Sequence, residues 1–209
     1  MADLASHSAD AFSPRQTAVL ECALRLLVEG GEKALTTAGI ARAANCSKES
    51  LYKWFGDRNG ILEAIVTFQA AKVRTPAAGP QMIAKAAIRD ALTIFAADLL
   101  TVLAGDVSLA LNRLAIGQAG HDDGSLGQII LERGRRTIEQ RALGLLEKGR
   151  AQRFFQFETT QSAYETLYGL IVRDVHVRLL LGGKVKPEDF PARAARAIDQ
   201  FFRLFETEK

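Results

Sequence analysis

Cysteine, histidine and proline are all scarce in this chain of 209 residues. Its two cysteines, Cys22 and Cys46, cannot complete a zinc site or a disulfide framework, and we expect both to be buried. The three histidines, His7, His121 and His176, lie far apart, and no serine or cysteine lies in a nucleophile-elbow context. No glycine loop for phosphate is present either. We therefore expect a protein that is not an enzyme and that needs no cofactor and no metal.

Membrane, export and strand signals are missing as well. No uncharged apolar run approaches the length of a bilayer span. Residues 1–12 lack the basic and apolar regions of a signal peptide, so we expect a mobile N-terminal tail on a cytoplasmic protein with no membrane partner. The sequence contains no run of alternating β-branched residues between turn pairs, so it predicts no strand. Abundant leucine and alanine with only five prolines predict an all-α fold.

The net charge of +3 is small, but its distribution is uneven. Between residues 33 and 74 there are seven basic and three acidic residues, an excess of four, so the segment accounts for the whole net charge. A local basic surface of this kind is what phosphate binding requires. The charge pattern therefore indicates a nucleic-acid partner.

Residues 36–55 predict two short helices joined by a tight turn. Ile40, Ala41 and Ala44 have the spacing of a small apolar helix face. Asn45 then ends the first helix, because asparagine tolerates a left-handed backbone, and Ser47 can cap the second helix by accepting from an N–H near Ser50. With an amphipathic helix before them, these two helices predict a three-helix helix-turn-helix DNA-binding domain.

The second short helix has one apolar side and one polar side. With Leu51 set inward, Phe55 lies beside it, while Glu49 and Lys53 point away and Ser50 and Tyr52 flank that outer face. A surface helix of any bundle could have the same pattern. The turn chemistry and the preceding helix favour the DNA-binding interpretation.

The order Thr-Thr, Ile-Ala, Ser-Lys, Leu-Tyr and Phe, followed three positions later by a basic residue, resembles the tetracycline-repressor (TetR) family of dimeric, ligand-responsive transcriptional regulators. The resemblance is dense over residues 13–66. Asn45 lies where the family usually has glycine, Cys46 where it has a small aliphatic residue, and Arg58-Asn59 where it has lysine followed by an acid. Residues 113–116 and 172–182 are similar to the ligand domain of the AefR-like subgroup.

The polar residues of the motif are candidates for two kinds of DNA contact. Thr36 and Thr37 open the first motif helix, where hydroxyls and free N–H groups can meet a phosphate, although one of them can simply be the N-cap. Lys53 suits guanine and Glu49 suits cytosine, unless the two bridge each other as an i, i+4 pair. Arg42 reaches a phosphate, a base edge or only solvent. The predicted DNA contacts are Thr36, Thr37, Arg42, Ser47, Lys48, Glu49, Ser50, Tyr52, Lys53, Trp54 and Arg58.

Capping serines, prolines and glycines predict where the helices and the domains begin and end. Ser13-Pro14 opens the first helix and Gly30-Gly31 ends it, and a connecting helix covers 58–73. Two prolines and a glycine make 75–80 a linker, so we expect a DNA-binding domain at 13–74 and a helical ligand-binding and dimerisation domain at 75–209. The helices predicted in that second domain cover 81–104, 106–119, 125–149, 159–181 and 187–206.

The last two predicted helices carry more apolar surface than one core needs, which indicates a homodimer, unless they are buried centrally in one monomer. Charges at Arg173, Asp174, His176 and Arg178 fit either a paired interface or the polar end of a ligand pocket.

We expect the second domain to bind a small, largely apolar effector, with Arg113 fixing an anionic or carbonyl end unless it only reaches solvent. The predicted ligand contacts are Leu99, Leu103, Arg113 and His176. The function indicated is a repressor released from double-stranded palindromic DNA by that effector. The alternative is a helical protein-interaction module without sequence-specific DNA binding.

Overall fold

The computed structural model describes residues 12–75, 84–119 and 125–207. Within these ranges the only extended pairing is an isolated bridge between Phe155 and Glu206, which confirms the predicted all-α fold. Residues 1–11 of the predicted tail and all of the linker beyond Thr75 lie outside the described residues. The α-helices are α1 (Pro14–Ala34), α2 (Thr37–Ala43), α3 (Lys48–Phe55), α4 (Arg58–Ala70), α5 (Lys85–Ala104), α6 (Asp106–Gln118), α7 (Ser125–Ile129), α8 (Arg136–Ala151), α9 (Thr160–Val172), α10 (Val175–Leu180) and α11 (Phe190–Phe205).

Two shorter helical segments complete the secondary structure. A π-helical segment, Ile130–Arg135, connects α7 directly to α8, and a 3-10 turn, Pro187–Asp189, precedes α11. The chain forms two compact units, of which the first holds residues up to Ala71 with Gly105–Arg136 and the second holds the rest. The predicted domain limits follow the chain instead and stay a prediction.

The first unit has a core built around α1, which packs on α2, α4 and α6. Val19, Ala23 and Leu27 of its predicted inner face are buried there, and Leu51 of α3 is fully buried in the same cluster. Phe12, at the end of the predicted tail, packs on this unit, with its ring 6.4 Å from that of Phe68. Burying a leucine side chain stabilises a fold by about 1.5–3 kcal/mol, so these contacts fix the helices around α1.

Two predicted helix ends are wrong by about one turn. The first helix is interrupted at Gly31, with φ of 62°, but helical structure resumes and continues to Ala34. The connecting helix ends at Ala70, whereas Val73 was the predicted end. Val73 is nevertheless buried, and its carbonyl accepts a hydrogen bond from Arg141 at 2.8 Å. The apolar pattern therefore continued beyond the helix, because Val73 in the turn after it is also packed in the core.

The predicted single helix over 159–181 is wrong, because Arg173 divides it into α9 and α10. Arg173 has φ of 47°, a left-handed backbone that ends α9, and its guanidinium donates to Gln200 at 3.2 Å. Val172 and Val175 on either side of the break are both buried. Arginine is a good helix former, so nothing local in the sequence indicates the break. Packing on both sides holds it.

The predicted helix over 125–149 is continuous, but it includes the π-helical segment that the sequence did not indicate. This segment packs on α4, where Glu63 pairs with Arg133 at 3.1 Å. A Cβ at Gly134 would lie 3.1 Å from a methyl group of Val66, tighter than most such contacts. The small residue therefore lets the segment approach α4 closely.

In the second unit, α5 packs on α9, α10 and α11. Its Leu92 and Phe95 are fully buried, and Phe155 packs edge-on against Phe202 of α11 at 4.9 Å between ring centroids. Asp98 on α5 accepts hydrogen bonds from the backbone and guanidinium of Arg74. In the described chain no single helix is long and apolar enough to cross a membrane, and α5 and α6 reach that length and composition only when taken together.

Candidate nucleic-acid interface

The turn between α2 and α3 has the geometry predicted from its residues. Asn45 adopts φ of 48°, which confirms the predicted left-handed exit from α2. The N–H of Cys46 returns to the carbonyl of Ala41 at 3.0 Å and closes the turn. The side chains of both cysteines are free thiols of intermediate exposure rather than fully buried, so the predicted burial is only partial. The chain thus reverses sharply before α3 begins.

Hydroxyl caps begin both helices of the motif. The Oγ1 of Thr36 accepts from the N–H of Gly39 at 3.0 Å, so Thr36 is the N-cap of α2. The Oγ of Ser47 accepts from the N–H of Ser50 at 3.0 Å, which confirms the predicted cap of α3. Each cap satisfies one of the backbone donors that a helix N-terminus leaves without a partner.

The polar face of α3 is exposed and its apolar side is not. Leu51 is fully buried, whereas Tyr52 is 50% exposed and the side chains of Lys48, Glu49 and Lys53 are also exposed. Ser50 is half-buried. This arrangement agrees with the predicted orientation of the helix around Leu51.

Trp54 differs from the other predicted contacts, because its side chain packs against the core of the first unit. Its ring lies 6.3 Å from that of Phe55 in an edge-on arrangement. The remaining predicted contacts lie on neighbouring elements: Arg42 is exposed in the last turn of α2, Thr37 is half-buried at its start, and Arg58 is the exposed first residue of α4. Contact of any of these side chains with DNA stays a prediction.

The carboxylate of Glu49 is held at the start of α3. A hydrogen bond from its own backbone N–H, then one from the Ser47 hydroxyl and the nearby charge of Lys48, lower its pKa below the ordinary value. Among the described residues no ion pair joins Glu49 to Lys53, so the competing pair considered from the sequence is not formed. Both side chains are exposed on the polar face of α3.

The end of α3 is joined tightly to the start of α4. Asp57 caps α4 by accepting from the N–H of Gly60 at 2.8 Å. A Cβ at Gly60 would overlap the carbonyl oxygen of Phe55, so only glycine allows α4 to begin this close to α3. The position of α3 is therefore tied to that of α4.

Sequence reasoning missed a contact from α1 to the turn. The Nη2 of Arg15 donates to the carbonyls of Ala44 and Asn45 at 3.1 and 2.7 Å. No motif indicates this contact, because the partners are 29 and 30 residues apart. The only signal in the sequence is a basic residue next to the first helix cap.

The predicted ligand contacts lie in different parts of the fold. Leu99 is buried on α5, and the partly buried Leu103 lies one turn further along. His176 is half-buried on α10, which packs against α5. Arg113 is exposed on α6 in the first unit. In the charged cluster, Asp174 and Arg178 form an exposed ion pair at 3.8 Å. Ligand binding by these side chains stays a prediction.

Two family models match the chain. Residues 19–65 match the model described as bacterial regulatory proteins, tetR family, and residues 90–207 match the AefR-like transcriptional repressor C-terminal domain. A TetR transcriptional regulator from Agrobacterium tumefaciens is 61% identical, with a TM-score of 0.81 over 95% of this chain and 97% of that one. These matches agree with the resemblance found in the motif.

More distant relatives extend the comparison. A putative TetR-family regulator from Mesorhizobium loti is 19% identical, with a TM-score of 0.71 over 97% of this chain and all of that one, and it shares the fold. The HTH-type regulator YvkB of Bacillus subtilis is 35% identical over 54 residues, which are 26% of this chain and 29% of YvkB. The proteins compared are transcriptional regulators, so the prediction of a regulator rather than an enzyme is confirmed.

We expect loss of the Ser47 cap to weaken DNA binding through the orientation of α3. Ser47→Ala should cost about 1 kcal/mol of unfolding free energy, measured by urea denaturation. Thr159→Ala is the matched control, because Thr159 caps α9 in the second unit with the same geometry at 3.0 Å. Both variants should lose similar stability, but only Ser47→Ala should bind DNA more weakly. Equal DNA affinity in the two variants would contradict the role of the cap.

Proposed function

We propose that this chain, which belongs to the TetR family of DNA-binding transcriptional regulators, is a homodimeric repressor released from a palindromic operator by a small, largely apolar ligand. The observation that supports DNA recognition is the geometry of α3, a capped helix with one buried leucine and an exposed polar face. Such a helix fits the major groove of B-DNA. As a regulator of genomic DNA, the protein would work in the cytoplasm.

The residues around α3 divide by the contact that each can make. Lys53 can donate to guanine O6 and N7, Glu49 can accept from the cytosine amino group, and Ser50 can serve either. The other predicted contacts would hold the phosphate backbone and set the register without reading sequence. These are Thr36, Thr37, Arg42, Ser47, Lys48, Tyr52, Trp54 and Arg58.

Lys53→Ala and Lys48→Ala should separate base reading from phosphate binding, since both remove one exposed positive charge from α3. We expect Lys53→Ala to lose about 1–3 kcal/mol on a duplex that the wild-type protein selects from random sequences, and much less on random DNA. Lys48→Ala should weaken binding to both and reduce the salt slope by about 1. Fluorescence anisotropy across a salt series measures both. Equal losses for Lys53→Ala on the two DNAs would make Lys53 a backbone contact.

The dimer is supported by apolar side chains that the second unit leaves in solvent. Val177 on α10 is 58% exposed, Leu181 just after it is 83% exposed, and Leu204 on α11 is 61% exposed. Exposed apolar surface of this kind marks interaction sites. A second copy of the chain can cover this apolar surface, because a palindromic operator needs two DNA-binding domains that lie one helical turn, or a multiple of it, apart.

We expect Leu181→Asp to give monomers at micromolar concentration in sedimentation velocity, because a charge would be buried in the interface. Operator affinity should fall about a hundredfold or more once two half-sites are no longer bound together. Leu131→Asp is the control, since Leu131 is an exposed leucine of the first unit, at 53%. This variant should remain a dimer. A wild-type protein that sediments as a monomer would refute the dimer.

An effector would act by binding the DNA-free form better than the DNA-bound form, and each 1.4 kcal/mol of that difference weakens operator binding tenfold. Leu99, Leu103 and His176 would line its site, and Arg113 is a separate candidate for an anionic end.

Thermal-shift screening of acyl, aromatic and terpenoid compounds tests this step. A compound at 100 times its Kd should stabilise the protein by about 2.7 kcal/mol and should release the selected duplex. The Lys53→Ala variant should keep the same thermal shift, because it is altered only in DNA reading. Compounds that stabilise the protein without releasing DNA, or a screen with no hit, would contradict ligand-induced release.

A further inference from the structure

Asn45 places the turn between α2 and α3 in a backbone conformation that residues other than glycine seldom adopt. Its φ of 48° is one of three positive values among the non-glycine residues that the structure describes. L-residues avoid this region because Cβ approaches the following carbonyl oxygen. The turn that directs α3 therefore needs an additional interaction to hold it.

Arg15 supplies that interaction from the start of α1. One nitrogen, Nη2, donates to the carbonyl oxygen of Ala44 at 3.1 Å and to that of Asn45 at 2.7 Å. Ala44 is the C-cap of α2, so the guanidinium also lies where the negative end of the helix dipole is concentrated. A single cation thus binds the last carbonyl of the helix and the carbonyl of the left-handed residue.

The other hydrogen bonds at the turn come from the N–H groups of Asn45 and Cys46 and from the thiol of Cys22, which donates to the carbonyl of Ala43 at 3.6 Å. The side chain of Asn45 is exposed, and α3 is anchored further on by Leu51. The direction in which α3 leaves the turn therefore depends on the backbone at Ala44 and Asn45. Arg15 binds this backbone before any DNA is present.

We propose that Arg15 is a positioning residue for DNA recognition, which fixes the left-handed turn and thereby the orientation of α3 without touching DNA. Because the turn is already ordered in the free protein, DNA binding does not include the free-energy cost of ordering it. The proposal uses only the DNA-binding activity of the family and none of the proposed ligand chemistry. The competing role for an exposed arginine of this region is a direct phosphate contact.

Arg25 offers a matched control on the same helix. It is also an exposed arginine of α1, and its Nη2 donates to the sulfur of Cys22 at 3.1 Å, so it reaches the end of α2 only through the thiol bond to Ala43 and not at the carbonyls of the turn. Arg15→Met and Arg25→Met therefore remove the same charge from the same helix. A difference in DNA affinity or hydrogen exchange between the two variants therefore results from the loss of the carbonyl contacts of Arg15 and not from the change in net charge.

The binding experiment uses a duplex that the wild-type protein enriches from a random-sequence library, with poly(dI-dC) as non-specific DNA. We expect Arg15→Met to bind the enriched duplex at least tenfold more weakly than Arg25→Met does. Its salt slope and its affinity for poly(dI-dC) should equal those of Arg25→Met. Unchanged affinity for the enriched duplex would overturn the proposal. Equal losses on both DNAs with a salt slope lower by about 1 would also overturn it, in favour of a phosphate contact.

Hydrogen exchange in the absence of DNA gives a second readout that does not depend on finding a bound sequence. The N–H groups of Asn45 and Cys46 bond within the turn, at 3.3 and 3.0 Å. Their exchange should be at least tenfold faster in Arg15→Met than in Arg25→Met, while exchange in α9 stays the same. Unchanged exchange in the turn would overturn the proposal even if the wild-type protein enriched no sequence.

A double variant keeps the test decisive if Arg15→Met folds poorly. Glycine adopts positive φ without strain, so Asn45→Gly should restore most of the slow exchange and most of the DNA affinity of Arg15→Met. The same Asn45→Gly change should alter Arg25→Met less than threefold. If Arg15→Met with Asn45→Gly recovers neither property, Arg15 does not act through the left-handed turn.

Discussion

Burial of Leu51 is the interaction on which the proposed DNA-binding surface of α3 depends. Helix α3 has eight residues, and an isolated helix shorter than about 12–15 residues is not stable in water. It exists because Leu51 enters the core of the first unit, which contributes about 1.5–3 kcal/mol, and because Ser47 caps its start. The polar side chains around Leu51 have a defined direction only while both interactions hold. The orientation of the proposed DNA-binding surface is thus determined by its buried side.

Local chemistry made this region largely predictable from the sequence. Asn45 and Ser47 act through their own backbone or through N–H groups within three residues, so their roles follow from residue type and spacing alone. The inward direction of Leu51 likewise follows from helix geometry, once the cap fixes where the helix begins. No partner from elsewhere in the chain is needed to foresee these features.

The features that the sequence did not predict depend on residues distant in the chain. Arg15 bonds to carbonyls 29 and 30 residues away, and the break at Arg173 is held by packing of the valines beside it and by Gln200. Every residue has a backbone carbonyl, so a hydrogen bond to one leaves no pattern of residue types in the sequence. The same limit applies to the ligand site, where buried and half-buried side chains such as Leu99 and His176 fit a core as well as a pocket.

The π-helical segment makes the number of residues in the chain a structural constraint. Before it, Leu126 and Ile129 are buried in the first unit, and within it Gly134 is buried against Val66 of α4. A π turn carries more residues than an α turn, so it sets the angle between Ile129 and Gly134 around the helix axis. Removing one residue between them would rotate Gly134 by about 100° and would place Arg135 at its position in the count. A deletion there would therefore act like the replacement of Gly134 by a large side chain, although no buried residue had been substituted.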